Sequence, residues 1–157
     1  MANNYCQFSE VLSCGSKEEA QWVSRISQLA LDYSLEQVEV GPDWNDDFEP
    51  ITEDAKLAAD IVDGGFNGCG FSFKIEDDSN VWFYAEECGD PGFVAEIVFE
   101  YFKKFNKKEC FSISYAETCE RPRVGEFGGG ALFVTLDGIK FMNSYTWIQE
   151  QTDKFKE

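Results

Sequence analysis

Histidine is missing from this sequence altogether. That one absence removes Ser-His and Cys-His nucleophilic catalysis, together with the commonest general base. No CxxC pair occurs either, so the usual zinc spacings are absent. Long apolar runs are lacking. None approaches the roughly 20 residues that span a bilayer, and the opening MANNYCQFSE has no basic-then-apolar pattern of a signal peptide. Together these absences predict a cytoplasmic, non-enzymatic chain with no membrane contact, no metal and no cofactor. Positive charge is the last scarcity: 13 Lys and Arg stand against 30 Asp and Glu, a net charge of −17.

Apolar material is plentiful. Hydrophobic residues make up 43% of the 157 residues and fifteen are Phe, enough to offset the entropy of ordering the backbone in a single domain over residues 1–157. The six cysteines, Cys6, Cys14, Cys69, Cys88, Cys110 and Cys119, are widely scattered in a chain large enough to hold its own core. They are expected as free thiols serving as small hydrophobes, and only folding could gather them into an all-cysteine metal site.

The negative charge is segregated. Residues 32–90 hold seventeen acids against only Lys56 and Lys74, while the remaining residues are close to neutral. Such a field repels nucleic acid, anionic lipid and acidic substrates, and it speeds encounters with basic surfaces.

The element signals are short and mixed. A strand over residues 5–12 precedes Ser16-Lys-Glu-Glu19, a capping-box pattern, after which Trp22, Val23, Ile26, Leu29, Ala30 and Tyr33 recur at helical spacing. Residues 36–50 read as irregular. Thr52 can cap a short helix with Leu57, Ala58, Ile61 and Val62 on one face and Glu53, Asp54 and Asp60 on the other, ended by Gly64-Gly65. Cys69, Phe71, Phe73 and Ile75 alternate toward a turn at residues 77–80, and residues 81–86 resume an aromatic strand, which makes a hairpin with an acidic tip.

Asp90-Pro91 is a strong helix start, and Phe93, Val94, Ile97, Val98, Tyr101, Phe102 and Phe105 form one stripe that should centre the core. Then come a strand over 110–116, a long loop through Arg121 to Gly130, and a strand over 132–136. Asp137-Gly138 turns that strand back on residues 139–142, and a closing helix presents Trp147, Ile148, Gln151 and Phe155. Strands arriving as hairpins between helices predict an α+β fold, a mainly antiparallel sheet with helices packed on one face.

Three local patterns carry chemistry. Glu86-Glu87 at the end of an aromatic strand could pair as catalytic carboxylates, but neighbours in a strand point to opposite faces, so they serve one site only if the strand has ended. Asp43, Asn45, Asp47, Glu49 and Asp54 partly imitate a calcium loop, with Phe48 where Gly is required and Pro50 interrupting. Arg121, Arg123 and Gly128-Gly129-Gly130 form a candidate anion loop, although a strand follows, whereas phosphate loops open helices. The glycines equally let another backbone pack closely.

Tyr5-Cys-Gln-Phe-Ser-Glu10, Trp82-Phe-Tyr-Ala-Glu-Glu87 and Arg123-Val-Gly-Glu-Phe-Gly-Gly-Gly-Ala131 resemble segments of a family of small acidic bacterial and mobile-element (phage or plasmid) proteins. The resemblance runs over most of the chain and brings no activity or functional residue with it. In type, through size, acidity and lack of catalytic residues, the chain is also similar to nucleic-acid-mimicking anti-CRISPR and anti-restriction inhibitors.

The leading expectation is therefore an inhibitor whose acidic face imitates the phosphate rows of nucleic acid and occupies a basic, nucleic-acid-binding protein, without binding nucleic acid itself. That face would comprise Asp43, Asp46, Asp47, Glu49, Glu53, Asp54, Asp60, Asp63, Glu76, Asp77, Asp78, Glu86 and Glu87. A second expectation is a non-catalytic housekeeping or oligomer-forming interaction domain whose acids only solubilise it. A third is an anion-binding protein or enzyme working through the Arg121 to Gly130 loop.

Overall fold

A computed structural model describes residues 3–65 and 68–157. The elements in chain order are β1 (Asn4–Ser13), α1 (Lys17–Ser34), α2 (Glu53–Asp63), β2 (Ser72–Glu76), β3 (Asn80–Ala85), α3 (Pro91–Phe105), β4 (Phe111–Cys119), β5 (Gly128–Thr135), β6 (Gly138–Asn143) and α4 (Ser144–Lys156). The strands form one antiparallel sheet in the order β2-β3-β1-β4-β5-β6. This is the α+β class that the hairpin signals predict.

Period-two alternation decides the two faces. Leu12 stands opposite Val81, and Ile113 opposite Leu132; all four are buried, so they share the face under the helices. The other face carries Ser9, Trp82, Tyr84 and Ser114 toward solvent, with Trp82 stacked on Tyr84 at 4.0 Å and its indole N–H donating to Ser9 at 2.8 Å.

α1 begins where Ser16 accepts from the Glu19 amide, and it buries Val23, Ile26, Leu29 and Ala30. α3 begins where Asp90 accepts from the Phe93 amide and ends on left-handed Asn106, with Phe93, Val94, Ile97, Val98, Tyr101 and Phe102 buried. Burying such side chains is worth about 1.5–3 kcal/mol each, which makes this stripe the largest single contribution to the core. The Tyr101 hydroxyl donates to Glu19 at 3.0 Å and Lys107 reaches the same carboxylate at 2.9 Å, so α3 runs antiparallel to α1. α2 packs through Ala55, Ala58 and Ala59. Arg25 of α1 clamps it by donating to Asp43 and Asp54.

The expectation of six free thiols is corrected: Cys69 and Cys88 form a disulfide, with Cα atoms 5.7 Å apart, and Cys6, Cys14, Cys110 and Cys119 are free. The two cysteines flank the β2–β3 hairpin, whose antiparallel pairing brings its open ends together. Cys69 lies before β2, not within it.

The Gly128-Gly129-Gly130 run is also corrected from loop to strand, as the first three residues of β5, paired with Glu117, Ala116 and Tyr115. A Cβ on Gly129 would stand 2.7 Å from the Tyr115 carbonyl oxygen, and one on Gly130 would collide with the Met142 carbonyl oxygen. Close packing against neighbouring backbone needs glycine at 129 and 130.

The closing helix forms as expected, α4 starting at an Asn143 cap, but it has no buried residue. Among the described residues, no helix is long and apolar enough to cross a membrane, and no three Cys, Asp or Glu side chains are grouped to hold a metal ion.

Candidate functional site

Burial dips along β4. Phe111 and Ile113 are buried, Tyr115 and Glu117 on the same face are only half-buried, and Cys119 at the strand's end is buried again. The helical cover runs out where α3 begins, and the uncovered end of the sheet becomes an open cavity of about 590 Å³. Its floor comes from Cys6 of β1, Tyr115 and Glu117 of β4, Leu132 of β5 and Phe141 of β6. The segment from Glu87 to Gly92, tied down by the Cys69–Cys88 disulfide, forms one wall. Gly125, Glu126 and Tyr145 of α4 form the opposite one.

Each wall is held by specific contacts. The Cys6 amide donates to the Glu87 carbonyl at 2.7 Å, and the Asp90 amide to the Gly70 carbonyl at 2.9 Å. The Tyr145 hydroxyl donates to the carbonyls of Gly125 and Phe127, at 3.2 and 2.9 Å. Gly128 is the position beneath that ring, since a Cβ there would lie 2.7 Å from Tyr145.

The lining is chemically one-sided. Glu87, Asp90, Glu117 and Glu126 contribute to it, and among the described residues no Lys or Arg does. Asp90 is committed to capping α3. None of the salt bridges among the described residues involves Glu87, Glu117 or Glu126. Neighbouring groups register the resulting field. Burial first, then the charges of Glu117 and Asp90, push the Cys6 thiol above its ordinary range, against a hydrogen bond from the Gly89 amide. Burial and then Glu117 raise the Tyr115 phenol as well. A thiol held in its neutral form is a poor nucleophile. What the arrangement offers is an anionic recess with the aromatic rings of Tyr5, Tyr115, Phe141 and Tyr145 around it, which suits a guanidinium or ammonium group.

The acids singled out in the sequence fall in several places. Asp43 and Asp54 are bound to Arg25, at 2.6 and 2.9 Å, and Asp43 also accepts from Thr52; that hydrogen bond and then the Arg25 pairing hold its carboxyl below the usual range. Asp46, Asp47 and Glu49 are exposed on a loop organised by Asn45, whose side-chain oxygen accepts from the amides of Asp47 and Glu49. Glu53 pairs with Lys56, Asp63 accepts from Tyr33, and Asp60 lines a groove together with Glu96 and Glu100 of α3.

Glu76, Asp77 and Asp78 sit at the hairpin tip, where Asp77 and Asp78 take left-handed backbone. Glu86 and Glu87 lie beyond the other end of β3, a strand length of about 20 Å away. Because β3 ends at Ala85, both follow the strand, but only Glu87 enters the large cavity. Arg121 and Arg123 are exposed in the β4–β5 loop and do not line it.

Glu117, Glu126, Cys6, Tyr115 and Tyr145 were not marked by sequence reasoning as a site. Their convergence depends on the strand order, and no local pattern announces it. Comparison with protein-family models, with curated proteins and with solved structures returns no match, so function has to be read from the chemistry of the site.

Proposed function

We propose that this protein acts by binding a basic protein partner, with a Lys or Arg side chain of that partner entering the cavity at the end of the sheet. The observation that carries this reading is the cavity lined by four acidic residues and, among the described residues, no basic one. The exposed acids of the 45–49 loop and of α2 add a wider negative field that steers a basic surface toward the domain. In its finer form, the partner is a host nucleic-acid-binding protein in the cytoplasm. The acids then stand in for phosphates, as an inhibitor from a phage or other mobile element would use them. Nucleic acid itself is repelled.

Calorimetric titration with an oligoarginine peptide tests the cavity. Glu117→Gln and Glu126→Gln should each weaken binding by about tenfold, the loss of one charged contact. Replacing the exposed Asp46, Asp47, Glu49 and Glu53 by Asn or Gln should lower affinity in graded steps and flatten its salt dependence. Unchanged affinity in the Glu117 and Glu126 variants would remove the cavity from the proposal. For the finer form, the partner captured from a host lysate at low salt should release this protein when duplex DNA is added. A partner that holds both together would exclude mimicry.

A further inference from the structure

We infer that β6 and α4 form the interface of a two-fold homodimer in which β6 pairs antiparallel with β6 of a second copy. β6 is an edge strand, bonded only to β5, and it has no proline and one charged residue, Lys140, to blunt its free edge. Phe141 is 73% and Met142 59% exposed, yet they are adjacent and point to opposite faces of the sheet. A ligand docking on one face would cover one of them; a strand added at the edge covers both.

α4 leaves directly from β6 and carries Trp147, Ile148 and Phe155, which are 56%, 56% and 90% exposed. A helix of 13 residues anchored only near its first turn is marginal in water without something on its apolar side. These five side chains offer about 700 Å² of apolar surface per copy, close to the roughly 800 Å² that each partner buries in a standard interface.

Charge selects a second copy as the occupant. Residues 121–157 contain five basic and five acidic residues, so the whole net charge of −17 resides in the rest of the chain. Two copies joined here bring together the segments that carry no net charge, so their association meets less repulsion than a pairing through residues 32–90. A basic partner is drawn to the carboxylates of the cavity rather than to the free edge of β6, whose one charged residue is Lys140.

The symmetry also sets the register. A two-fold axis perpendicular to the sheet keeps like faces together, so the pairing centres on one residue. Centring on Lys140 would oppose two ammonium groups. Centring on Phe141 sets each ring against its counterpart and Lys140 against Met142.

Sedimentation velocity over a concentration series should show a species of twice the 17.8 kDa chain mass. Phe141→Lys should weaken self-association at least a hundredfold with the circular dichroism spectrum unchanged. In a Cys110→Ser background, which removes the exposed native thiol, Phe141→Cys should cross-link to a covalent dimer on mild oxidation, while Asp137→Cys and the background chain do not. A chain that remains monomeric at about 100 µM, where an interface of standard size holds a pair together, overturns the inference. So does a dimer that survives Phe141→Lys or fails to cross-link through Phe141→Cys. Phe141 also floors the cavity, so oligoarginine binding is read with Glu117→Gln, which leaves β6 and α4 unchanged, and self-association should be unaltered in that variant.

Discussion

Glu19 in the first turn of α1 and Lys107 just beyond α3 hold their charges 2.9 Å apart, with side chains only 13% and 18% exposed. The Tyr101 hydroxyl and Ser16 also donate to that carboxylate. The same glutamate thus closes a helix cap and joins the two helices that cover the sheet.

Burial alone would push the Glu19 carboxyl up, but the hydrogen bonds from Lys107, Ser16 and Tyr101 outweigh it and hold it below its ordinary value. A depressed folded value means that the stabilisation is complete above the unfolded value, about 4.3 for Glu, and is lost as the pH falls through the lower folded one. Glu19→Gln should therefore cost about 2 kcal/mol near neutrality. The gap between variant and parent should close on acidification. Urea melts at neutral and acidic pH check this, and a gap independent of pH would assign the loss to packing.

Phe102 is fully buried on the α3 stripe, so Phe102→Ala should destabilise by about 3–5 kcal/mol. A loss below about 1 kcal/mol in denaturant melts would contradict its place in the core.

The glycines at the start of β5 should differ in what they tolerate. Gly130→Ala meets a backbone oxygen and the Tyr115 hydroxyl, neither easily moved, and should cost about 2–3 kcal/mol. Gly128→Ala meets only the Tyr145 ring and the Ser144 hydroxyl. It should lift α4 from its seat at a smaller loss, seen as faster amide exchange confined to residues 144–156.

The disulfide closes a sequence separation of 19 residues, and breaking it should cost about 3 kcal/mol. Alkylation of unfolded, unreduced protein should label four cysteines, and all six after reduction. In the folded protein exposed Cys110 should react first. Cys14, pushed up to about 11 chiefly by burial, should react only on unfolding. Six labels without reductant would exclude the Cys69–Cys88 bond.

Local signals made the helices legible. Ser16, Thr52, Asp90 and Asn143 each cap the helix whose periodic apolar residues follow it, and the α3 stripe is buried from Phe93 to Phe102. The disulfide left a usable trace, since two cysteines bracketing a hairpin must approach one another. The cavity left none. Glu117, Glu126 and Tyr145 meet through the successive β4–β5 and β5–β6 hairpins, but Cys6 and the Glu87 wall join them only because β1 inserts between β3 and β4, a non-local pairing that no window of sequence contains. The Gly128–Gly130 run misled because its reason lies across the sheet, at Tyr115 and Met142.

The central place of β1 also sets the order in which the chain assembles. The β2–β3 and β5–β6 hairpins close between near neighbours in sequence. β1 is synthesised before both of its neighbours and bonds to residues 80–85 on one side and 116–119 on the other. During synthesis its apolar face, with Phe8 and Leu12, waits unpaired until most of the domain has emerged. The β1 pairings close the longest loops in the sheet, so insertion of this strand between β3 and β4 should be late in folding, and its exposure before that step is where misassembly would begin.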